Sequence, residues 1–294
     1  MEHHTPTPIT GHTALICLLG SPCAHSISPM MHNASFEALG LDYRYLAFDV
    51  NEATLPTAVA GLKALGARGF NLTMPDKNLM VSLCDDLSTA ARIIGAVNTV
   101  VNENGRLIGH NTDGIGYMQS VKDAGYDIID KKMTLLGAGG AATAILVQAA
   151  LDGLKEISVF VRPTSRFYDR LVHTVDELTK ITDCKIKICD FSDAELLKQE
   201  LADSAILTNG TSVGMAPHED TCPVPEDLVF PDGLIVSDII YNPRETRLLS
   251  MAKHQGNPFF NGSYMLLYQG AEAFRLWTGK EMPVEQIKRD FFSK

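Results

Sequence analysis

Short apolar runs alternate along the chain with longer segments in which apolar residues recur every three or four positions. These two spacings are typical of buried strands and of amphipathic helices. In the first third they predict strands over 14–19, 43–50, 67–72, 97–101 and 106–108, and helices over 29–39, 53–65 and 76–92. The last two strands are expected to form a hairpin, because Asn and Gly within 102–105 favour a tight turn.

Beyond residue 110 the alternation becomes regular. It predicts helices over 112–124, 140–152, 167–180, 193–201 and 245–255, separated by strands over 133–136, 156–161, 185–189, 205–208, 234–238 and 258–260. This βαβαβ rhythm is typical of a doubly wound parallel sheet. We therefore predict an α/β protein with two domains, an α/β domain over 1–110 and a Rossmann-like, doubly wound domain over 111–264. The helices predicted within 265–294 are expected to return to the first domain.

Composition and charge exclude several classes of protein. The 294 residues carry a formal net charge of −10, which argues against a nucleic-acid partner because a phosphate-binding surface is basic. The longest apolar stretch, 141–151, is shorter than the ~20 residues that cross a bilayer, so no membrane partner is expected. The six cysteines form no CxxC pair, and the N-terminus lacks the pattern of a secretory signal. These features predict a folded cytoplasmic protein with reduced thiols.

A glycine-rich segment lies between the strand predicted to end at 136 and the helix predicted to begin at 140. It reads Gly137-Ala138-Gly139-Gly140-Ala141. Glycine lets the chain turn sharply and lets backbone N–H groups approach a pyrophosphate at the positive end of the next helix. Glycines also serve purely steric turns, but a second strand ending about 20 residues later matches the dinucleotide-binding fingerprint. The segment therefore favours dinucleotide binding over a structural turn.

The loop after that second strand bears on the choice of dinucleotide. An acidic residue here usually binds the ribose hydroxyls of NAD, whereas arginine accommodates the 2′-phosphate of NADP. Residues 161–166 contain no acid but include Arg162 and Arg166. Two arginines are also ordinary for a solvated loop, so the pattern favours NADP and leaves NAD open.

Polar side chains cluster at a few places in the first domain and at its boundary. They are Ser26, Ser28, Thr73, Lys77, Asn98 and Asp113. Ser28, Thr73 and Asp113 also fit helix caps, a purely structural role, and taken singly Ser28 and Asn98 favour a structural role over a functional one. Lys77 is harder to explain in that way. A lysine in a partly desolvated cleft exchanges a proton with a substrate hydroxyl while the carbon that bears this hydroxyl gives up a hydride. The other groups offer hydroxyl and amide partners to a small polyhydroxylated ligand.

Eight motifs, in order, relate the chain to a known family. They are HSISPMMHN (25–33), NLTMPDK (71–77), GAVNTV (95–100), GHNTDGIG (109–116), GAGGAA (137–142), TNGTSVGM (208–215), YNPRET (241–246) and NGSYMLLYQGAEAF (261–274). With them the chain resembles the shikimate dehydrogenase family of shikimate and quinate/shikimate dehydrogenases. The resemblance implies a substrate-binding domain, a dinucleotide-binding domain and an oxidoreductase that reversibly reduces 3-dehydroshikimate to shikimate. That reaction belongs to chorismate and aromatic amino acid biosynthesis, and quinate is a further substrate to consider.

The resemblance also implies roles for individual residues. Lys77 and Asp113 match the catalytic pair. The substrate-binding positions, besides that pair, match Ser26, Ser28, Thr73, Asn98, Tyr241 and Gln269. The cofactor-binding positions match Gly137, Ala138, Gly139, Gly140, Ala141, Arg162, Thr164, Arg166, Ile239 and Gly262. The implied cofactor is NADP or NAD without a metal, the implied partner is a small-molecule substrate, and a homodimer is one option for assembly.

Two departures from the family's patterns keep the cofactor open. Where the NADP-specific branch has Asn-Arg-Thr, this chain has Val161-Arg162-Pro163. Where the quinate/shikimate branch often has an acid, this chain has Thr164. Both NADP and NAD therefore remain candidates.

Three alternatives compete with this interpretation. A dehydrogenase of the methylenetetrahydrofolate type would carry a pterin-stacking aromatic beside its lysine, and none stands around Lys77. A regulator that binds a dinucleotide without turnover would be expected to lose Lys77 or Asp113, and both are present. The run of His, Glu and Asp at 218–220 suggests a metal, but three polar residues in a Pro-bounded loop are more typical of a solvated loop.

Overall fold

The computed structural model of the chain describes residues 8–292 and divides into two compact units. The first unit runs to Thr112 and resumes at Gln269, and the second comprises Asp113–Tyr268. Each unit contains one six-stranded sheet.

The elements follow one another in an α/β order. The strands are β1 (Ala14–Gly20), β2 (Tyr43–Asp49), β3 (Gly69–Leu72), β4 (Asp86–Leu87), β5 (Thr99–Glu103), β6 (Arg106–His110), β7 (Lys132–Leu136), β8 (Glu156–Val161), β9 (Lys185–Asp190), β10 (Ile206–Asn209), β11 (Ile235–Asp238) and β12 (Phe259–Phe260). The α-helices are α1 (Ser28–Ala38), α2 (Leu55–Ala64), α3 (Thr89–Ile94), α4 (Asp113–Asp123), α5 (Gly140–Leu151), α6 (Tyr168–Thr179), α7 (Ala194–Leu201), α8 (Arg247–Gln255), α9 (Ser263–Thr278) and α10 (Val284–Ile287). A 3-10 helix (Leu79–Leu83) and a π-helical turn (Lys288–Phe292) complete the set.

The sheet of the first unit is mixed, with strand order β2-β1-β3-β5-β6-β4. β1 runs parallel to β2 and β3, whereas β5 is antiparallel to both β3 and β6. The carboxyl ends of β1, β3 and β6 therefore lie at the same edge of the sheet as the amino end of β5. We call this edge the polar edge, because the loops that meet it carry Ser26, Ser28, Thr73, Lys77 and Asn98.

The helix predicted over 76–92 is wrong. The stretch instead forms a turn, the 3-10 helix, β4 and α3. Cys84 is extended, the Asp85 carboxylate accepts a hydrogen bond from the Leu107 N–H at 2.7 Å, and β4 then pairs with β6. Ser88 caps α3 by accepting a hydrogen bond from the Ala91 N–H at 3.2 Å. Pairing with a strand 22 residues away along the chain thus overrides the local apolar spacing.

The last part of α9 packs into the core of the first unit through Trp277, which is 1% exposed. Its indole N–H donates a hydrogen bond to the Val100 carbonyl at 2.9 Å. A Cβ at Gly69 would collide with both groups, so only glycine fits beneath this ring. The Arg68 guanidinium donates to the Trp277 carbonyl at 2.8 Å. The C-terminal segment is therefore a structural part of the first unit.

The sheet of the second unit is parallel throughout, with strand order β12-β11-β10-β7-β8-β9. Counted from β7, this is the 3-2-1-4-5-6 order of doubly wound dinucleotide-binding folds. All six strands lie within one residue of the bounds predicted from the sequence. The predicted α/β class with a Rossmann-like sheet is confirmed. In such sheets ligands bind outside the carboxyl ends of the strands where the order reverses, here between β7 and β10.

All six cysteines fall within residues 8–292 and are free. Burial raises the pKa of the Cys17 thiol to about 12, so this thiol stays protonated at neutral pH. No helix in the described part of the chain is long and apolar enough to cross a membrane.

His32 lies on α1 in the core of the first unit and is fully buried. Its ring stacks on Tyr45, with ring centroids 4.5 Å apart, and meets Trp277 edge-on at 5.3 Å. Among residues 8–292 neither of its ring nitrogens finds a hydrogen-bond partner. Burial lowers the pKa of His32 to about 3, so the imidazole is neutral in the folded protein.

We expect the free energy of unfolding to fall as the pH drops below about 6.5, because His32 then takes up a proton in the unfolded chain but not in the folded one. The loss continues down to the folded pKa of about 3 and reaches ~1.4 kcal/mol per pH unit. His32→Phe keeps an aromatic ring and should flatten this part of the profile. Urea unfolding of both proteins across the acid range measures the effect, and equal slopes would contradict it.

Candidate functional site

Five predicted substrate residues lie at the polar edge of the first unit. Ser26 and Ser28 follow β1, Thr73 and Lys77 follow β3, and Asn98 precedes β5. Their convergence follows from the strand directions, because two parallel strands end at this edge and an antiparallel strand begins there. The sheet therefore brings together hydroxyl, amide and ammonium groups from three separate segments.

Asn98 is held by a buried network of amides and hydroxyls. Its side-chain oxygen accepts from the Thr112 N–H at 2.8 Å, and its amide donates to the Thr112 hydroxyl at 3.0 Å. Asn71 donates to the Asn98 carbonyl at 3.0 Å and to the Thr99 hydroxyl at 2.9 Å, and accepts from the Tyr45 hydroxyl at 2.7 Å. All five residues are buried. A satisfied buried network of this kind fixes the position of its members.

The serines and Thr73 are held by backbone contacts. The Ser28 N–H donates to the Ser26 hydroxyl oxygen at 3.2 Å, at the start of α1. The Thr73 N–H donates to the Leu19 carbonyl at 2.9 Å. A Cβ at Gly20 would collide with the Thr73 side chain, which shows how closely the loops after β1 and β3 approach. The three predicted hydroxyl groups thus come from two adjoining loops.

Lys77 is half-buried, and its neighbour Asp76 is fully buried. The Lys77 carbonyl accepts from the Val97 N–H at 2.8 Å, which ties the lysine to the residue before Asn98. Within residues 8–292 neither carboxylate oxygen of Asp76 has a hydrogen-bond partner. Burial, with a smaller contribution from the charge of Glu52, raises the pKa of Asp76.

We expect Asp76→Asn to raise the melting temperature at neutral pH by about 2–4 °C, the shift that ~1 kcal/mol produces in a chain of this size class. A raised pKa means that the ionised Asp76 carboxylate costs stability above that pKa, and that the cost vanishes as the group is protonated. The gain should therefore shrink in acid. Thermal melts of wild type and variant at about pH 7.5 and about pH 4 measure it. A gain of equal size at both pH values, or a loss at neutral pH, would be inconsistent with an unpaired ionised carboxylate.

Asp113 begins α4 in the second unit and is half-buried. A carboxylate is favourable at the amino end of a helix. A Cβ at Gly114 would collide with the Ala144 carbonyl of α5, so the two helices are in close contact. One turn further, the Tyr117 hydroxyl lies 2.5 Å from that of Thr208, in β10. These contacts hold the first turn of α4, and with it Asp113, in place within the second unit.

The other predicted substrate residues are divided between the units. Lys77 belongs to the first unit and Asp113 to the second. Gln269, on α9, is the residue at which the first unit resumes. Tyr241 belongs to the second unit, in the loop after β11, and is 49% exposed.

The glycine segment of the second unit joins β7 to α5, at the point where the strand order reverses. Gly137 has a φ of +100°, a left-handed conformation that favours glycine. A Cβ at Gly139 or Gly140 would meet no atom of the described chain within 4 Å, so protein packing does not require glycine there. Close approach of a pyrophosphate to the amino end of α5 does require it. The segment, including Ala138 and Ala141, fits a dinucleotide.

The loop between β8 and α6 exposes three polar side chains predicted to bind the cofactor: Arg162, Thr164 and Arg166. The Arg166 guanidinium lies over the Phe167 ring, 4.7 Å from its centroid. Stacking on an aromatic face orders an arginine and leaves its N–H edges available to an anion. The loop thus presents two cations to a phosphate and no carboxylate to a ribose.

Ile239 and Gly262, both predicted at the nicotinamide end, are in backbone contact. A Cβ at Gly262 would collide with the Ile239 carbonyl, and the Gly262 N–H donates to the Ile240 carbonyl at 3.1 Å. The neighbouring strand ends, Asn209 and Asp238, were not singled out from the sequence. In the sequence, each is recognisable only as a polar residue at the end of an apolar strand. Asn209 also lies within the motif TNGTSVGM.

Comparison with known proteins extends the resemblance over almost the whole chain. The family model of the shikimate dehydrogenase substrate binding domain matches residues 18–100, and that of the shikimate 5′-dehydrogenase C-terminal domain matches residues 262–289. The chain is 53% identical over 285 residues, 97% of each protein, to "Shikimate dehydrogenase (NADP(+))" of Listeria monocytogenes. It is 44% identical over 281 residues to a quinate/shikimate dehydrogenase of Escherichia coli, covering 96% of this chain and 97% of the other.

A solved structure agrees with these relatives. It is the shikimate 5-dehydrogenase from Listeria monocytogenes in complex with shikimate and NAD, with a TM-score of 0.92 and 53% identity over 96% of this chain and 98% of the other. Identity at this level over nearly the full length, together with the 3-2-1-4-5-6 sheet of the second unit, confirms the family that the motifs indicated. The chain belongs to the shikimate dehydrogenase family.

Proposed function

We propose that this protein catalyses the reversible reduction of 3-dehydroshikimate to shikimate, with NADP(H) preferred over NAD(H). The observation that carries the proposal is the polar edge, where Lys77 is tied to the buried amide network of Asn98 in a chain 53% identical to a shikimate dehydrogenase (NADP(+)). The methylenetetrahydrofolate-type dehydrogenase and the regulator without turnover are not favoured.

The polar edge suits a polyhydroxylated ring acid. The hydroxyl groups of Ser26, Ser28 and Thr73 are proposed to bind the substrate carboxylate and its neighbours, and the Asn98 amide a ring hydroxyl. Gln269 and Tyr241 are proposed to complete the set. The buried network holds Asn98, and backbone contacts hold the serines and Thr73, so these groups need little reorganisation when substrate binds. This favours a defined orientation of the ring.

Lys77 is proposed to act on the proton. In the oxidation of shikimate, the hydroxyl at the reacting carbon loses its proton to the Lys77 amine, and in the reverse direction the Lys77 ammonium returns a proton to the carbonyl oxygen. The bound dinucleotide accepts or supplies the hydride. Asp113 is proposed to orient Lys77 and to bind a ring hydroxyl, at the amino end of a helix that favours its charge.

The polar side chains of the loop after β8 support the preference for NADP. Arg162 and Arg166 are exposed there, and Thr164 replaces the acid that would bind the ribose hydroxyls of NAD. Arg162, Thr164 and Arg166 are proposed to bind the 2′-phosphate, 137–141 the pyrophosphate, and Ile239 with Gly262 the nicotinamide. Both cofactors occur among the relatives, since one relative is named for NADP(+) and one solved structure contains NAD.

Initial rates with shikimate and quinate, each measured with NADP+ and NAD+, test the proposal. We expect the highest kcat/KM for shikimate with NADP+. Absence of shikimate oxidation with either cofactor would refute the activity, and a higher kcat/KM with NAD+ would refute only the cofactor preference. Use of quinate, a homodimer and a cytoplasmic location stay predictions.

A further inference from the structure

A single buried carboxylate holds the loop at the predicted nicotinamide end of the second unit. Asp238, the last residue of β11, is 1% exposed. One carboxylate oxygen accepts from the Asn209 amide at 3.1 Å and from the Ile240 N–H at 3.0 Å, and the other accepts from the Thr246 hydroxyl at 2.8 Å. Asp238 thus receives one hydrogen bond from the end of β10 and two from the loop that follows β11.

Asn209, one of the partners of Asp238, also forms hydrogen bonds with the loop after β10. The Asn209 side-chain oxygen accepts from the N–H of Thr211 at 3.0 Å and from its hydroxyl at 2.7 Å. The Asn209 amide also donates to the Val213 carbonyl at 3.2 Å. A Cβ at Gly137 would lie 2.8 Å from the Thr211 side chain. The loop after β10 is therefore held between Asp238 on one side and the glycine segment on the other.

The loop 239–246 is bracketed by the same carboxylate. It leaves β11 at Asp238, whose side chain accepts from Ile240, and it ends at Thr246, which caps α8. Between these points the Ile239 N–H donates to the Asn209 carbonyl at 3.1 Å, and the Ile239 carbonyl lies against Gly262. Ile239 therefore lies in a loop whose two ends are both hydrogen-bonded to the Asp238 carboxylate.

We infer that Asp238 is a positioning residue for hydride transfer, because it holds the loop 239–246 and thereby sets Ile239 against the nicotinamide. This inference rests on the proposed function. Ile239 is the residue proposed to touch the cofactor, and Asp238 acts through it.

A carboxylate suits this place better than a neutral isostere. The Asn209 amide and the Ile240 N–H can only donate, whereas the Thr246 hydroxyl can also accept. An asparagine must therefore turn its oxygen toward Asn209 and Ile240, reverse the hydrogen bond with Thr246, and replace charge-assisted hydrogen bonds with weaker neutral ones. Burial raises the pKa of Asp238 while its three donors lower it, which shows that the ionised group is costly to bury. A buried charge is a weak way to gain stability, and its better-attested use is to specify one geometry.

The test compares Asp238→Asn with wild type in two kinds of measurement. Turnover is followed with shikimate deuterated at the carbon that gives up the hydride. Binding is followed with NADP+ and with adenosine 2′,5′-bisphosphate, which lacks the nicotinamide half. We expect kcat to fall by ~100-fold, as a misplacement of about 1 Å can cause, and the primary isotope effect to rise. We expect the affinity for NADP+ to fall while that for the bisphosphate changes by less than about twofold.

Glu245→Gln is the matched control, because it removes an exposed carboxylate of the same loop that pairs only with Lys253 among the described ion pairs. It should leave kcat and both affinities unchanged. If Asp238→Asn does not fold, Thr246→Val removes one of the three donors and should show the same pattern on a smaller scale. Asp238→Glu should recover part of the lost turnover.

Two results would overturn the inference. One is an unchanged kcat and isotope effect per folded molecule of Asp238→Asn or Thr246→Val, which would leave these residues a structural role only. The other is an equal loss of affinity for NADP+ and for the bisphosphate, which would mean that the whole cofactor site depends on Asp238. Failure of the proposed function is separate, because it would show as wild-type protein that does not oxidise shikimate, and the two binding measurements would still report on Asp238.

Discussion

Replacing Lys77 with methionine is expected to lower kcat for shikimate oxidation by ~10²–10⁴-fold, the usual contribution of a general acid–base group. Methionine has a similar length and apolar stem, so packing at the polar edge is kept while the titratable group is lost. The KM for shikimate should change far less than kcat, because the hydroxyl and amide groups of the polar edge remain. Steady-state kinetics measure both parameters.

The control for this prediction is Lys63→Met, which removes an exposed lysine of the same unit that is 2.9 Å from Asp85. It should retain wild-type kcat. A Lys77→Met enzyme within a few-fold of wild-type turnover would show that Lys77 does not handle the proton.

Removing both arginines of the loop after β8, in the Arg162→Ala/Arg166→Ala variant, is expected to raise the KM for NADP+ strongly. Charge-assisted hydrogen bonds to a phosphate contribute roughly 1.5–3 kcal/mol each, or about 10–150-fold in affinity, and two adjacent ones are not fully additive. The KM for NAD+ should stay within a few-fold, because NAD+ has no 2′-phosphate. Kinetics with each cofactor at saturating shikimate measure the split.

Arg106→Ala serves as the control, since it removes an exposed arginine that pairs with Asp86 in the first unit. It should not alter the KM for either cofactor. Equal effects of the double substitution on NADP+ and NAD+ would identify Arg162 and Arg166 as ordinary surface charges.

The strands of the second unit were predicted from the sequence to within one residue, because four of the six are short buried runs and all but β10 are followed by a local helix. The stretch 76–92 was not, since its structure depends on Asp85 and β4 meeting β6 across the sheet. Local spacing carries no information about such a partner. Helices and strands can therefore be predicted from the sequence where the local spacing of apolar residues determines them, and not where a distant strand does.

The candidate site shows the same division. Lys77 and the glycine segment stood out because their chemistry is visible in single residues or short motifs. Asn71 opens the motif NLTMPDK, but its support of Asn98 was not visible there, because it arises only once β3 and β5 are paired. Tyr45 did not stand out, because it reaches Asn71 from β2. Asp238 was missed for the same reason, because it links the end of another strand, at Asn209, to Thr246 at the far end of its own loop. A residue that supports another functional residue is recognised from its contacts in the folded structure, and those contacts join positions that are far apart in the sequence.

The placement of Trp277 has a consequence for how the protein is made. The first unit needs the indole in its core over Gly69, yet that residue is synthesised after the whole of Asp113–Tyr268. The ribosome therefore releases a complete second unit while the first still lacks part of its interior. Domains generally fold as units during synthesis, with the N-terminal one first. Here the core of the first unit can be completed only after Trp277 has been synthesised, by which time every residue of the second unit is already in the chain.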